Sequence, residues 1–170
     1  MKKGFTLIEL LIVTVVVGTL MGIAVPKFSI ALERGRSAEG FNFIQHVAGD
    51  LNAYYMAHEK YPEEAEDLAL YEEEDGEFFR NYPILKHFTL PSPKPFQREN
   101  DAHMKVSVVR GSSYKIVGYL DHGNLTGFEC VLGTDAKAAR FCQAIGFRKQ
   151  EANYVMPITP NFMSNYNEAD

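Results

Sequence analysis

Two kinds of hydrophobic pattern run along the first third of the chain. From Phe5 to Val25 almost every position is apolar, and these 21 residues would extend about 30 Å as a helix, enough to cross a hydrocarbon core. From Phe41 the pattern turns amphipathic: Phe41, Ile44, Ala48, Leu51 and Tyr55 recur at steps of three and four, with Asn42, Gln45, Asp50 and Asn52 between them. One helix running on to about residue 58 accounts for both stretches. Pro62 stops it, since proline neither continues a helix nor favours one in the residue before it. A β-prone pattern follows further on. Met104 to Arg110 and Tyr114 to Leu120 are joined by Gly111, Ser112 and Ser113 as a hairpin, and Phe128 to Leu132 adds a third strand after a turn around Asp121 to Gly127. Three strands with one apolar face need a cover, which the amphipathic half of the helix supplies. The predicted class is α+β: a long amino-terminal rod, membrane half first, whose second half packs on a small antiparallel sheet.

The remaining segments carry weaker patterns. Residues 59–103 read as a connection between helix and sheet, punctuated by Pro83, Pro91, Pro93 and Pro95. Its first part holds nine acids in the fifteen positions from Glu63 to Glu77. Oxygen ligands of this kind suit calcium, but the spacing is not that of a DxDxDG loop, and a charge run is in the first instance a solvated face. No metal site is assigned. Residues 148–170 have no clear period and are read as a tail or a sheet edge. The chain thus divides into 1–4, 5–26 (apolar helix), 27–58 (amphipathic continuation), 59–103 (loop), 104–147 (sheet) and 148–170 (tail).

Inside the apolar run stands one acid, Glu9. A carboxylate at membrane depth costs roughly 2.5 to 3.5 kcal/mol on insertion scales, so it calls for a partner. A cleaved secretory signal would share the basic start and the small residues around Ala24, but its apolar core is shorter and carries no acid. A plain single-pass anchor explains the length and leaves Glu9 without a role. Gly18, Gly22 and Pro26 weaken the upper part of the run, glycine by about 1 kcal/mol against alanine and proline by about 3.

Gly4 followed by Phe5-Thr6-Leu7-Ile8-Glu9-Leu10-Leu11 resembles the class III signal of type IV pilins and of the pseudopilins of type II secretion. The resemblance is specific over residues 1–28. It implies a leader, residues 1–4, cut after Gly4 by a prepilin peptidase that methylates the new terminus, giving N-methylphenylalanine at Phe5. It places Glu9 where the family pairs a carboxylate with the terminal amine of a neighbouring subunit. A buried cation beside a buried carboxylate offsets much of the desolvation cost of each, so Phe5 and Glu9 become assembly residues. The implied fold is the pilin ladle, and the implied behaviour of Gly18 to Pro26 is loosening within the assembled fibre. Cys130 and Cys142, the only cysteines, look like the disulfide that type IV pilins commonly carry near the carboxyl end; an even count in an exported domain agrees. Zinc would need further ligands than His122.

The resemblance also fixes partners and place. These are other copies of the chain and related pilins, the prepilin peptidase, the pilus assembly machinery of the inner membrane, and membrane lipid before assembly. The single-pass form sits in the inner membrane with its head outside the cytoplasm, then in an extracellular filament or a periplasmic pseudopilus. The implied function is a structural pilus subunit. The alternatives are a type II secretion pseudopilin, or a minor pilin acting as an adhesin or DNA-binding module. Composition bears on the last. The formal charge is −5, and loss of Lys2 and Lys3 with the leader moves it to −7, a poor basis for nonspecific nucleic-acid binding. His46, His58, His87, His103 and His122 are scattered, and no HExxH, GxSxG or P-loop spacing occurs. Neither an enzyme nor a cofactor is expected. Asn124-Leu125-Thr126 fits a glycosylation sequon, a short pattern that often matches by chance.

Overall fold

The computed structural model describes residues 5–63, 85–91 and 96–158. Gly4 with the rest of the leader, the acids from Glu64 to Glu77, Pro83, Pro93, Pro95 and the chain beyond Ile158 lie outside the described residues. Helix α1, Leu7–His58, is 52 residues long. It runs through Gly18, Gly22 and Pro26 without a break. The helix closes at Glu59, whose backbone is left-handed at φ 56° and whose N–H donates to Tyr55 O.

The sheet is entirely antiparallel and has six strands in the order β1-β2-β3-β4-β6-β5. They are β1 Phe96–Arg98, β2 His103–Arg110, β3 Tyr114–Asp121, β4 Asn124–Leu132, β5 Arg148–Gln150 and β6 Asn153–Pro157. Strands β2 and β3 occupy the runs expected from sequence, while β4 begins at Asn124, within the stretch expected as a turn, and ends with the expected run 128–132. Strand β1 falls within the stretch read as a loop, and β5 and β6, which form one edge of the sheet, within the stretch read as a tail or a sheet edge. Each is short: three residues of β1 or of β5 cannot display a period of two, and Arg-Lys-Gln in β5 has no apolar member.

Packing follows the helical stripe. Phe43, Ile44, Val47, Ala48 and Leu51 of α1 are buried on Met104, Val106 and Val108 of β2, Ile116 and Leu120 of β3, and Phe128 of β4. Phe41 and Tyr55, at the margins of the stripe, are half-buried, and the Phe41 ring meets Phe128 edge-on at 5.0 Å. Helix and sheet approach closely at Gly118, where a Cβ would lie 2.4 Å from Ile44 Cγ2. The first carbon of any side chain there collides with a branched, buried neighbour. Gly118→Ala is therefore expected to lose about 1 to 3 kcal/mol through overpacking, read as a lower urea midpoint for unfolding of the head. An unchanged midpoint would show that helix and sheet can move apart at no cost.

Two sets of contacts pin α1 to opposite ends of the sheet. At the end facing the apolar rod, Glu33 meets Arg110 and Tyr114 beside the β2–β3 turn. At the far end, Asn52 Nδ2 donates to Gly123 O at 2.7 Å and Gly123 N donates to the Tyr61 hydroxyl at 2.8 Å. This second pair holds the β3–β4 turn, in which His122 and Gly123 both have positive φ, 47° and 83°. Helix α2, Ala138–Ala144, lies between α1 and the outer strands. Its Cys142 is bonded to Cys130 of β4, with Cα atoms 5.9 Å apart. Closing a loop of this length stabilises a fold by about 3 kcal/mol in the chain-entropy model.

Candidate functional site

The apolar part of α1 packs against nothing within the chain. Every side chain described from Phe5 to Val25 is exposed, Leu7 to 92 %. The polar groups that interrupt this surface are satisfied locally. The Thr14 hydroxyl donates to Leu11 O and the Thr19 hydroxyl to Val16 O, both at 2.9 Å, the way such residues avoid an orphaned hydroxyl in an apolar medium. A rod that is bare of protein contacts and internally satisfied is built for lipid or for other helices.

Glu9 is the exception among charged groups, and the structure shows how one chain holds it. Thr6 is the N-cap of α1, in extended conformation. Its backbone N–H and its hydroxyl both donate to Glu9 Oε2, at 2.9 and 2.7 Å, while Glu9 N–H donates back to Thr6 Oγ1 at 3.3 Å. This is a capping box, legible in the sequence as Thr6-x-x-Glu9 and not drawn from it above. Thr6 is thus a residue that sequence reading missed. Phe5 precedes the cap, outside the helix, and is 77 % exposed. A terminus created at Phe5 would lie one residue before the box, so its amine belongs at the edge of the Glu9 site. Gly4 lies outside the described residues. Gly18 and Gly22 sit in open helix, with nothing near an added Cβ.

A second carboxylate is buried where rod meets head. Glu33 Oε1 accepts from Arg110 Nε and from the Tyr114 hydroxyl, both at 2.9 Å, and Oε2 faces Arg36 Nη1 at 3.4 Å. Glu33 is buried, as is Ser37 one turn on. Burial works against the charge, but the bonds from Arg110 and Tyr114 and the positive charge of Arg110 outweigh it, holding Glu33 below the usual carboxylate range. Burial and then the Glu33 carboxylate push the Tyr114 phenol up, so it remains the donor. Sequence reading did not find this cluster, because its members are polar residues on a face searched for apolar ones.

The histidines are less dispersed in space than in sequence. His103 Nε2 and His122 Nδ1 both approach Asp121 Oδ1, at 3.4 and 2.5 Å. Among the described residues no group of three histidine, cysteine or acidic side chains is arranged to hold a metal. Ser113 lies in the β2–β3 turn and donates to Asp135. Thr126 of the sequon is buried, its hydroxyl donating to Tyr119 O.

The chain resembles known proteins most clearly where the rod lies. A family model described as the prokaryotic N-terminal methylation motif matches residues 1–25. The type IV major pilin protein PilE1 of Neisseria gonorrhoeae is 36 % identical over 63 residues, 37 % of this chain and 38 % of that protein. The fimbrial protein EcpC of Eikenella corrodens is 41 % identical over 54 residues, 32 % of this chain and 35 % of its own length. The chain is thus similar to type IV pilins over about a third of its length. It spans little more than a third of the length of the pilins it matches. A weaker but longer likeness is to type II secretion system core protein G of Dickeya chrysanthemi, 22 % identical over 127 residues and 75 % of each chain. No solved structure matches the chain at a comparable level.

Proposed function

We propose that the chain is a structural pilin subunit: cut after Gly4, methylated at Phe5, and polymerised through its amino-terminal helix into a type IV pilus. The observation that carries this reading is Glu9, the lone carboxylate in residues 5–25, whose described side chains are all exposed. In one chain Thr6 supplies two donors to that carboxylate but no positive charge. The Phe5 amine of an adjacent copy supplies the charge, so assembly satisfies what the single chain leaves half-balanced. The Gly18 to Pro26 stretch is helical in the single chain, and loosening there would accompany packing in the fibre. The function is scaffolding and not catalysis. Its partners are further copies and related pilins, the prepilin peptidase that removes the leader, and the inner-membrane machinery that lifts subunits from lipid. The protein then passes from a single-pass inner-membrane form to an extracellular filament.

A second reading, a pseudopilin of type II secretion, is favoured by the alignment with core protein G, which runs over 127 residues against 63 for the pilin PilE1. The Cys130–Cys142 bridge favours the pilus, since the resemblance to type IV pilins implies such a staple. Shearing separates the two: the protein is expected in filaments released from the cell surface, and recovery only with a secretion complex in the envelope would favour the pseudopilus. A processing block gives a companion test. Gly4→Asp is expected to leave the full-length precursor in the membrane fraction, longer by the leader, with no filaments; processed protein from that variant would show that cleavage lies elsewhere.

A further inference from the structure

The end of the head that faces the rod is cationic in an otherwise acidic chain. Lys27 and Arg34 follow Pro26 within eight residues, about 12 Å of helix. At the level of Arg34 a distant part of the chain returns to α1, because Arg34 Nε donates to Ala144 O. The segment leading into α2 is held to the β2–β3 turn, Gly133 N–H donating to Ser113 O at 2.8 Å and Asp135 N–H to Ser112 O at 3.2 Å. Since Arg110 and Tyr114 at that turn meet Glu33, α2 is fixed at the rod end of the head. Lys137 and Arg140, both exposed, therefore share an end with Lys27 and Arg34, which are exposed too.

The acids at this end do not neutralise that set. Glu33 is taken up by Arg110, Tyr114 and Arg36. Asp135 accepts from the Ser113 hydroxyl and the Lys137 backbone N–H. Among the described residues Glu151, at the tip of the β5–β6 turn, is the exposed acid on this side. Among the described residues, four exposed cations face one exposed acid at this end, where the chain as a whole carries −5.

We infer that this collar docks on anionic phospholipid headgroups and holds the head against the bilayer before the subunit is drawn into a fibre. The inference rests on the reading of residues 5–26 as the membrane segment. If the hydrocarbon core ends near Pro26, the headgroup layer occupies roughly the next 5 to 7 Å, and the side chains of Lys27, Arg34, Lys137 and Arg140 stand in or just above it. That is within a Debye length of the surface, about 8 Å at physiological ionic strength. A basic residue near an anionic surface strengthens binding about fivefold. The collar is continuous with the rod, so a lipid surface is the partner already beside it. In this state the head lies on the membrane, and leaving for the fibre breaks those contacts.

The full-length chain reconstituted in nanodiscs of phosphatidylglycerol or of phosphatidylcholine tests this by hydrogen exchange of residues 133–144. Exchange is expected to be slower by roughly fivefold or more in phosphatidylglycerol, and high salt should erase the difference. Arg140→Glu should also erase it, while Lys60→Glu, the same charge change beyond the far end of α1, should leave it intact. Equal exchange in both lipids would overturn the inference, and so would equal loss in both variants, which would reduce the effect to net charge. Protection that depends on two chains per disc would assign the collar to a second copy and overturn it as well. Failure of the chain to enter either disc would overturn the membrane reading with it, whereas insertion without a lipid effect sinks the docking alone.

Discussion

Cells carrying Glu9→Val are expected to make and process the protein normally and to yield no filaments on shearing. The substitution removes a carboxylate from a helix that is otherwise ready for lipid, a change worth roughly 2.5 to 3.5 kcal/mol in favour of the membrane-inserted monomer. On the proposed reading it also removes the group that would draw in the Phe5 amine of a neighbouring copy. Both effects favour storage over assembly. The Thr6 cap loses its reciprocal partner, since Glu9 Oε2 is the acceptor for both the Thr6 N–H and its hydroxyl, but the helix is 52 residues long and does not depend on one turn. An immunoblot of sheared and membrane fractions should therefore show the mature chain accumulating in the membrane. Filaments in normal amount would mean that uncovered apolar surface alone drives stacking.

The second large effect is expected at Glu33. Removing one partner of a buried ion pair typically costs 3 to 5 kcal/mol. Arg110 retains 23 % side-chain exposure and can draw on water once its partner is gone, which brings the expectation for Glu33→Ala to about 2 to 3 kcal/mol. The Tyr114 hydroxyl is left without its acceptor in the same substitution. The site should also show in the pH dependence. The folded-state pKa of Glu33 lies below its ordinary value, so its contribution is fully present above the ordinary carboxylate range and drains away as pH falls through the lowered value. Denaturant melts of wild type and Glu33→Gln should therefore differ most near neutrality and converge in acid. A constant gap at every pH would mean that Glu33 acts by shape and not by charge.

The parts of this molecule that sequence made legible are those with a long pattern or a specific motif. The apolar run and Gly4-Phe5-Thr6-Leu7-Ile8-Glu9 gave the rod and the family resemblance, and the stripe at Ile44, Ala48 and Leu51 marked the packed face. That face begins earlier than its apolar members, however. Glu33, Ser37 and Gly40 are also buried, and a search for hydrophobic period passes over an acid, a hydroxyl and a hydrogen side chain. The three-residue strands β1 and β5 lack the length to show alternation, and β6 has only Val155 and Met156 between Tyr154 and Pro157 to suggest a strand. Pairing with a neighbour, not local preference, makes them strands. Gly118 reads as a weak point in a β-prone run, yet it is a place where the helix leaves no room for a side chain. Partners distant in sequence, such as Glu33 with Arg110 or Arg34 with Ala144, are visible only once the sheet has set their register.

The measurement that bears most directly on the central claim is the amino-terminal sequence and mass of the chain recovered from sheared filaments. A start at Phe5 carrying one methyl group, with Met1 to Gly4 absent, is the predicted result. A chain that begins at Met1, or at any residue beyond Phe5, would contradict it, because no terminal amine would then stand beside Glu9.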